Sequence, residues 1–230
     1  MKGLILAGGS GTRLRPFTHT SAKQLIPIAN KPVLEYVVND LKNAGITEIG
    51  VIVGHTKKEV MNFLGDGSKF NVHFTFIEQD APRGLAHAVL IAKEFVGNDA
   101  FVMYLGDNLL SNGIKKMVEK FKNSDYDSFL QVTPVSNPKE FGVAVVKNNQ
   151  VIEVIEKSPN PPSNLALVGV YIFKPESIYH AIGRIKPSKR GELEITDAIQ
   201  QLINLKYKIG VFEIEGWFKD TGRPEDVLDA

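Results

Sequence analysis

The 230-residue sequence contains no cysteine, which excludes disulfide bonds, zinc–thiolate sites and cysteine nucleophiles. Its five histidines are scattered without metal-ligand spacing. No apolar run approaches the length of a membrane span, and the N-terminus has no signal-peptide pattern. The formal net charge of +1 provides no general basic field for nucleic acid. We therefore expect a cytoplasmic protein without a membrane or nucleic-acid partner, in which any anion site is local.

The sequence also lacks internal repeats and linker-like stretches. A chain of 230 residues with 43% hydrophobic and 23% charged residues is ordinary for a globular protein and long enough for a sizeable core. We therefore expect a single domain over residues 1–230.

Strand and helix signals alternate through residues 1–125. Strands are predicted over residues 2–6, 48–53, 72–77 and 100–105, and a helix over 57–64. Pro32 suits the first position of an earlier helix, in which Leu34, Val37, Val38 and Leu41 repeat at i, i+3, i+4 and i+7. This alternation predicts a parallel sheet with helices on both faces.

Residues 126–230 are richer in strands. These are predicted over 128–135, 142–147, 151–156, 167–173 and 209–214, with a hairpin turn at Asn148-Asn149. Helices are predicted over 175–182 and around Ile195–Ile203, where Thr196 or Asp197 could cap the helix. The predicted fold class is α/β: a Rossmann-like three-layer sandwich with a mostly parallel central sheet, extended by antiparallel strands in the second half.

A glycine-rich loop, Leu6–Pro16, follows the first strand and contains Gly8, Gly9, Gly11, Thr12 and two arginines. Exposed backbone N–H groups and arginine side chains suit phosphate oxygens. The loop lacks the third glycine of the dinucleotide fingerprint and the Gly-Lys-Ser/Thr of a P-loop. A nucleoside triphosphate cradle is our hypothesis, and a plain strand-to-helix turn is the alternative.

Two acids follow apolar segments. Asp107 comes two residues after the predicted buried strand 101–105, with Gly106 between them. Asp220 lies within the segment Gly216–Gly222. Ligands of parallel sheets bind beyond the carboxyl ends of the strands, and Mg²⁺ prefers one or two carboxylates plus phosphate oxygens. Either acid could instead belong to an ordinary turn. Should the two meet at one edge, they predict metal-assisted phosphoryl chemistry.

Three further segments carry weaker signals. The amide of Gln79 offers a donor and an acceptor to a pyrimidine edge, although Gln79–Ala88 could be an ordinary loop before a helix. A capping role for Thr196 or Asp197 does not explain the charged residues just upstream, Arg190, Glu192 and Glu194. Glu156-Lys157 is a weaker signal, because such a pair could be solvated surface charge. His87 on its own favours a structural over a catalytic role.

Together these motifs resemble the sugar-phosphate nucleotidyltransferases, and within them the glucose-1-phosphate thymidylyltransferases. The resemblance rests on Gly8–Pro16 followed by Lys23 and Lys31-Pro32, on Leu105–Asn108, and on Arg190–Asp197. It runs in order from residue 3 to about residue 226. The opening motif is specific for the superfamily, whereas the later ones only favour the subgroup.

The resemblance implies that dTTP, or UTP, reacts with a sugar 1-phosphate, glucose 1-phosphate first of all, to give a nucleotide sugar and pyrophosphate with Mg²⁺ as cofactor. It implies a nucleotide-binding half, 1–125, and a sugar-phosphate-binding half, 126–230. The implied catalytic residues are Arg13, Lys23 and Asp107, and the implied metal ligands are Asp107 and Asp220. The nucleotide would contact Leu6, Ala7, Gly8, Gly9, Gly11, Thr12, Arg13, Gln79, Gly84, Leu85 and Asp107. The sugar phosphate would contact Gly142, Glu156, Lys157, Tyr171, Arg190 and Glu192.

The sequence departs from the family pattern at two places. Phe141 stands where members often have tyrosine, and Trp217-Phe218-Lys219-Asp220 has one residue more than the Trp-Leu-Asp of short members. Phe218 is an alternative equivalent of that tryptophan. The spacing resembles longer members, so the chain is either a natural minimal form or the catalytic domain of something longer. Homo-oligomer formation stays open.

Two function classes compete with nucleotidyl transfer. A catalytically silent nucleotide-binding regulatory module would not need Lys23 and the two acids. A dinucleotide-dependent dehydrogenase would need the missing glycine and an acid after the second strand, where Gly54-His55 stands.

Overall fold

The computed structural model describes residues 1–9, 11, 14, 22–222 and 227. The strands are β1 Lys2–Leu6, β2 Pro27–Ile28, β3 Lys31–Pro32, β4 Glu48–Val53, β5 His73–Glu78, β6 Phe101–Leu105, β7 Asn108–Leu110, β8 Ser128–Pro134, β9 Gly142–Lys147, β10 Gln150–Glu156, β11 Leu165–Phe173, β12 Ile209–Glu213 and β13 Phe218–Asp220. The helices are α1 Val33–Asn43, α2 Lys57–Leu64, α3 Leu85–Ile91, α4 Lys93–Val96, α5 Lys115–Lys122, α6 Pro175–Ile182 and α7 Ile195–Asn204.

A nine-stranded mixed sheet, in the order β5-β4-β1-β6-β11-β8-β12-β10-β9, runs through both halves of the chain. The first four strands are mutually parallel, and β11 is antiparallel to both of its main neighbours, β6 and β8. The α/β class and the mostly parallel sheet are therefore confirmed. One pairing differs from the expectation, because β12 runs parallel to β8. The amphipathic helix α7 precedes β12 and supplies the crossover that a parallel pairing needs.

Helices cover both faces of the sheet and give the three expected layers. One core packs α3, α4, α6 and α7 against the sheet, and the other packs α1, α2 and α5. Successive residues of β1 alternate between them, with Leu4 and Leu6 in the first core and Ile5 in the second. This period of two is what a strand between two helical layers requires.

Local sequence signals account for most element bounds. The four apolar residues of α1 at i, i+3, i+4 and i+7 are fully buried. Both Asn148 and Asn149 have positive φ, 51° and 60°, as the hairpin turn between β9 and β10 requires. Two end positions were wrong: α1 begins at Val33 after Pro32, and α7 begins at Ile195, so Thr196 and Asp197 lie inside its first turn.

In the part of the chain that the structure describes, every helix is too short or too polar to cross a membrane.

A half-buried acid links α1 to the central strand β6. Tyr104 is fully buried on β6, and its hydroxyl donates to Oδ2 of Asp40 on α1 at 2.8 Å. Burial raises the pKa of Asp40 from 3.8 to about 6, although the hydrogen bond from Tyr104 opposes that shift. The folded state therefore favours the protonated carboxyl, and this contribution to stability is present below pH 3.8 and is lost as the pH rises through about 6.

We predict that Asp40→Asn stabilises the protein at pH 8. The amide oxygen still accepts from Tyr104, and no charge has to be buried. The rise in the free energy of unfolding should reach roughly 3 kcal/mol at most, from the shift in the pKa of Asp40. Denaturant unfolding at pH 5 and pH 8 measures it, and the loss of stability between these two pH values should shrink in the variant.

Asp66→Asn is the matched control, because Asp66 is exposed and its pKa is lowered by hydrogen bonds from Ser68. Its contribution to stability is present above pH 3.8 and is lost only as the pH falls further, so this variant should leave the slope between pH 5 and 8 unchanged. An Asp40→Asn protein no more stable than the wild type at pH 8 contradicts the prediction.

Candidate active site

The carboxyl ends of the parallel strands meet at one edge of the sheet, and the candidate residues lie there. Gly8 and Gly9 follow β1, Gln79 follows β5 and Asp107 follows β6. The β1 and β4 loops touch, because a Cβ on Gly54 would lie 2.6 Å from the carbonyl oxygen of Gly8. Sequence reasoning noted Gly54 only as a missing acid, yet it is a glycine that close packing at this edge requires.

A cavity of about 510 Å³ opens at this edge. The sequence-predicted residues that line it are Leu6, Gly8, Gly9, Gly11, Lys23, Gln79, Gly84, Leu85, Asp107, Glu156, Lys157, Arg190, Glu192 and Asp220. Residues from both halves of the chain, 1–125 and 126–230, therefore line the same cavity. Gly11 has a φ of 61°, a conformation that favours glycine.

One described residue of the predicted nucleotide site, Ala7, does not line this cavity. Ala7 is fully buried, and its N–H donates to the carbonyl of Ile52, so its side chain belongs to the core rather than to the cavity wall. Thr12 and Arg13 lie outside the residues that the structure describes.

A second cavity, of about 670 Å³, continues the first toward β9 and β11. Glu156, Lys157, Asp220, Leu85 and Thr196 are among the residues that line both. The two cavities are therefore adjoining lobes of one cleft, which we call the first lobe and the second lobe.

The predicted sugar-phosphate residues divide between the lobes. Gly142 and Tyr171 line the second lobe, whereas Arg190 and Glu192 line the first. A Cβ on Gly142 would lie 3.0 Å from Oε2 of Glu156, which shows how closely that carboxylate approaches the backbone of β9. Phe218 also lines the second lobe, whereas Trp217 is half exposed.

An ion pair between Lys23 and Asp107 lies in the lining of the first lobe. The Nζ of Lys23 donates to Oδ2 of Asp107. Lys23 begins a short 3₁₀ turn, Lys23–Leu25, and the N–H of the preceding Ala22 donates to Oε2 of Glu59 at 2.6 Å. The Cε of Lys23 passes 3.3 Å from the position of a Cβ on Gly9. The lysine thus reaches the acid by lying across the glycine loop.

Asp220 reaches the cleft from a different element than expected. It ends β13, which pairs with β7 in a separate two-stranded sheet and places Asp220 opposite Asn108. The neighbouring Thr221 is buried, and its N–H and hydroxyl both donate to the carbonyl of Asp107, at 3.0 and 2.7 Å. These contacts bring Asp220 to the same cavity as Asp107, although it does not follow a strand of the main sheet.

The donor set at this wall fits Mg²⁺. Two carboxylates, from Asp107 and Asp220, border the first lobe, and Mg²⁺ is commonly held by one or two carboxylates together with phosphate oxygens and water. Among the described residues, no group of three or more acidic, histidine or cysteine side chains could hold a metal ion by itself.

Acidic side chains outnumber basic ones among the described residues of the first lobe. The described residues of the first lobe contribute five carboxylates, those of Asp107, Glu156, Glu192, Glu194 and Asp220, against three cations, those of Lys23, Lys157 and Arg190. A polyanionic ligand therefore gains from any further positive charge that adds to these three cations.

A backbone contact joins the Gln79–Leu85 loop to the segment that precedes α7. The N–H of Leu193 donates to the carbonyl of Arg83 at 2.8 Å, and the N–H of Ala86 donates to the carbonyl of Leu193 at 3.0 Å. Gly84, with φ of 97°, fits between them, because a Cβ there would lie 2.4 Å from the carbonyl oxygen of Leu193. A side chain at position 84 would force these two loops apart.

Arg190 is held within its own segment. Its guanidinium donates to Oε1 of Glu194 at 2.9 Å, and the hydroxyl of Ser188 donates to the same oxygen at 2.8 Å. The pKa of Arg190 is raised, first because of the hydrogen bond to Glu194. This pairing positions a cation at the mouth of the first lobe.

Sequence reasoning missed two polar residues of the cleft. Gln24 is fully buried, lines the first lobe and has no hydrogen-bond partner within the described chain for either amide atom. The hydroxyl of Thr196 is buried, likewise unpartnered there, and lines both lobes. Buried polar atoms without partners at a cavity are candidates for ligand contact. The sequence did offer one signal for Gln24, since it is a polar residue at the start of the otherwise apolar segment that follows Lys23.

Comparisons with known proteins agree with this geometry. The family model for nucleotidyl transferase matches residues 2–230. The chain is 56% identical over 232 residues to the low-salt glycan biosynthesis nucleotidyltransferase Agl11 of Haloferax volcanii. It is 53% identical over 232 residues to a glucose-1-phosphate thymidylyltransferase of Streptomyces antibioticus. Each alignment covers 100% of this chain and 65% of the relative, so the chain spans about two thirds of their length.

A solved structure supports the same relationship. A Bacillus anthracis crystal structure in complex with a sucrose, described as a glucose-1-phosphate thymidylyltransferase, superposes with a TM-score of 0.92 at 38% identity. The superposition covers 100% of this chain and 93% of that one. Since the family model spans almost the whole chain and the fold agrees with that neighbour, this protein belongs to the nucleotidyl transferase family.

Proposed function

We propose that the protein transfers a nucleotidyl group from dTTP to glucose 1-phosphate, which gives dTDP-glucose and pyrophosphate. The observation that carries this proposal is the two-lobed cleft, whose first lobe combines the glycine loop, Lys23 and two carboxylates. The second lobe continues from it past Glu156 and Lys157. The relatives named glucose-1-phosphate thymidylyltransferase support the choice of nucleotide and sugar.

The proposed reaction needs no nucleophile from the protein. An oxygen of the sugar phosphate attacks the α-phosphorus of dTTP, a new P–O bond forms, and the bond between the α-phosphorus and the bridging oxygen breaks. Pyrophosphate leaves with the electron pair of that bond. The work of the protein is therefore to orient two anions and to compensate their charge.

The cations of the described cleft would share this work. Lys23 would lie by the α-phosphate, Lys157 would bind the phosphate of the sugar, and Arg190 would complete that side. Arg13 and Thr12, from the glycine loop, would grip the triphosphate together with the N–H groups of Gly8, Gly9 and Gly11. Glu156 would accept hydrogen bonds from sugar hydroxyls beside Gly142 and Tyr171.

Asp107 and Asp220 would hold Mg²⁺, which when bound supplies positive charge to the phosphates. The excess of carboxylates over cations in the first lobe supports this assignment. Replacing the Lys23 contact at Asp107 with a metal contact would free the ammonium group for the phosphate.

The base would lie against Gln79, Gly84 and Leu85. UTP is the alternative nucleotide, because uracil presents the same hydrogen-bonding edge as thymine. The proposed substrates are metabolites of the cytoplasm, where we place the reaction. Residues 1–125 would bind the nucleotide and 126–230 the sugar phosphate, within a single domain.

We predict that a pyrophosphate-release panel identifies the substrates. With Mg²⁺ and glucose 1-phosphate, dTTP should give the highest kcat/KM, UTP the next, and CTP, ATP and GTP much lower values. Other sugar 1-phosphates in the same panel test the sugar. No release with any pair would favour a silent binding module, and faster turnover with a purine nucleotide would overturn the base assignment.

We predict that Asp107→Ala abolishes activity and that Lys23→Ala lowers kcat by about 10² to 10³, the usual loss when a charge-stabilising group is removed. Both variants should stay folded, because Lys23 and Asp107 border a cavity rather than a core cluster. Steady-state kinetics and thermal unfolding measure the two effects separately.

Lys208→Ala is the control for these variants. Lys208 forms an ion pair with Asp125 that is exposed and remote from both lobes, so its loss should change neither kcat nor stability appreciably. A fully active Asp107→Ala protein would contradict the assignment of Asp107 as a ligand of Mg²⁺.

A further inference from the structure

The side-chain amide of Gln79 has a fixed orientation. Its Nε2 lies 3.2 Å from the carbonyl oxygen of Gly84 and 3.0 Å from Nδ1 of His87. A carbonyl oxygen can only accept a hydrogen bond, so the atom of Gln79 that faces it must be the NH₂ group. The flipped amide would place two acceptor oxygens against each other.

This orientation determines the tautomer of His87. Because the NH₂ group of Gln79 faces Nδ1, that ring nitrogen must be the unprotonated acceptor, and the ring proton must be on Nε2. Protonated His87 would present a second donor to the amide. The pKa of His87 is lowered, first by burial and then by the positive charge of Arg83, which is opposed by Asp80, so the ring stays neutral.

The remaining polar atom of Gln79 is its Oε1, which lies beside Gly8, 3.6 Å from the position of a Cβ there. Gly8 and Gln79 both line the first lobe. With both N–H groups of the amide directed at Gly84 and His87, the cleft meets an acceptor and not a donor. A pyrimidine with a protonated ring nitrogen at position 3, as in thymine and uracil, matches an acceptor, whereas the bare nitrogen of cytosine does not.

We propose that His87 is a positioning residue that makes the enzyme select nucleotides with an imide N–H on the base. His87 does not line either lobe, so it acts through Gln79 and not by touching the substrate. This inference rests on the proposed function, because it assumes that Gln79 faces the base.

The test compares His87→Ala and His87→Asn. Alanine removes one of the two acceptors that hold the amide of Gln79 and leaves only the carbonyl of Gly84, whereas asparagine places an acceptor oxygen close to where Nδ1 was. For His87→Ala we expect the ratio of kcat/KM for dTTP, or UTP, to that for CTP to fall about tenfold, as for the loss of one orienting hydrogen bond. The KM for the nucleotide should rise, while the KM for the sugar phosphate and kcat with saturating dTTP stay near wild type. His87→Asn should restore most of the ratio.

His73→Ala is the matched control, since His73 is exposed on the edge strand β5 and should leave the ratio unchanged. A merely structural role for His87 predicts equal losses with all nucleotides and no rescue by asparagine. That result, or an unchanged ratio in His87→Ala, would overturn the proposal.

A second measurement does not depend on activity. Ring ¹⁵N NMR of His87 in the wild-type protein near neutral pH should show a protonated Nε2 and an unprotonated Nδ1. A proton on Nδ1 refutes the positioning role even if turnover is as proposed. Wild-type protein without turnover of dTTP or UTP refutes the proposed function, and the NMR result still decides the orientation of Gln79.

Discussion

The ion pair between Lys23 and Asp107 is the contact on which the arrangement of charges in the cleft depends, since it joins the turn Lys23–Leu25 to the residues that follow the central strand β6. Lys23 is brought there by Glu59, which accepts from the backbone just before it, and Asp107 is secured by Thr221. Charge explains why the pair matters. Among the described residues of the first lobe, carboxylates outnumber cations, so the position of each cation there strongly affects how well a phosphate group could be bound.

Two loops that line the first lobe are joined by backbone hydrogen bonds. The paired hydrogen bonds of Leu193 with Arg83 and Ala86 tie the loop that would read the base to the segment that carries Arg190. Gly84 makes this approach possible, because any side chain at that position would collide with the backbone of Leu193. The two loops are therefore held together through backbone atoms, whose positions do not depend on side-chain rotamers.

Much of the fold was predictable because the signals are local. The bounds of β4, α2, β9 and α6 follow from apolar periodicity and turn residues within each segment, and the structure places them as expected. The parallel pairing of β12 with β8 was missed because pairing depends on where α7 packs, which periodicity does not encode. Pro32 precedes α1 instead of beginning it, and Thr196 and Asp197 lie inside α7 instead of capping it, because helix ends depend on the backbone geometry of the preceding loop.

The sequence by itself determined the α/β class, the edge of the sheet at which the candidate residues lie, and the residue types of a candidate phosphate site, because strand ends and glycine loops leave local patterns. Only the tertiary structure decided which of these residues meet. It placed Asp220 on a small separate sheet and buried Ala7 in the core. It also aimed Gln24 into the cleft and set His87 against Gln79. These relations join residues distant in sequence or depend on side-chain orientation, and no local pattern specifies either.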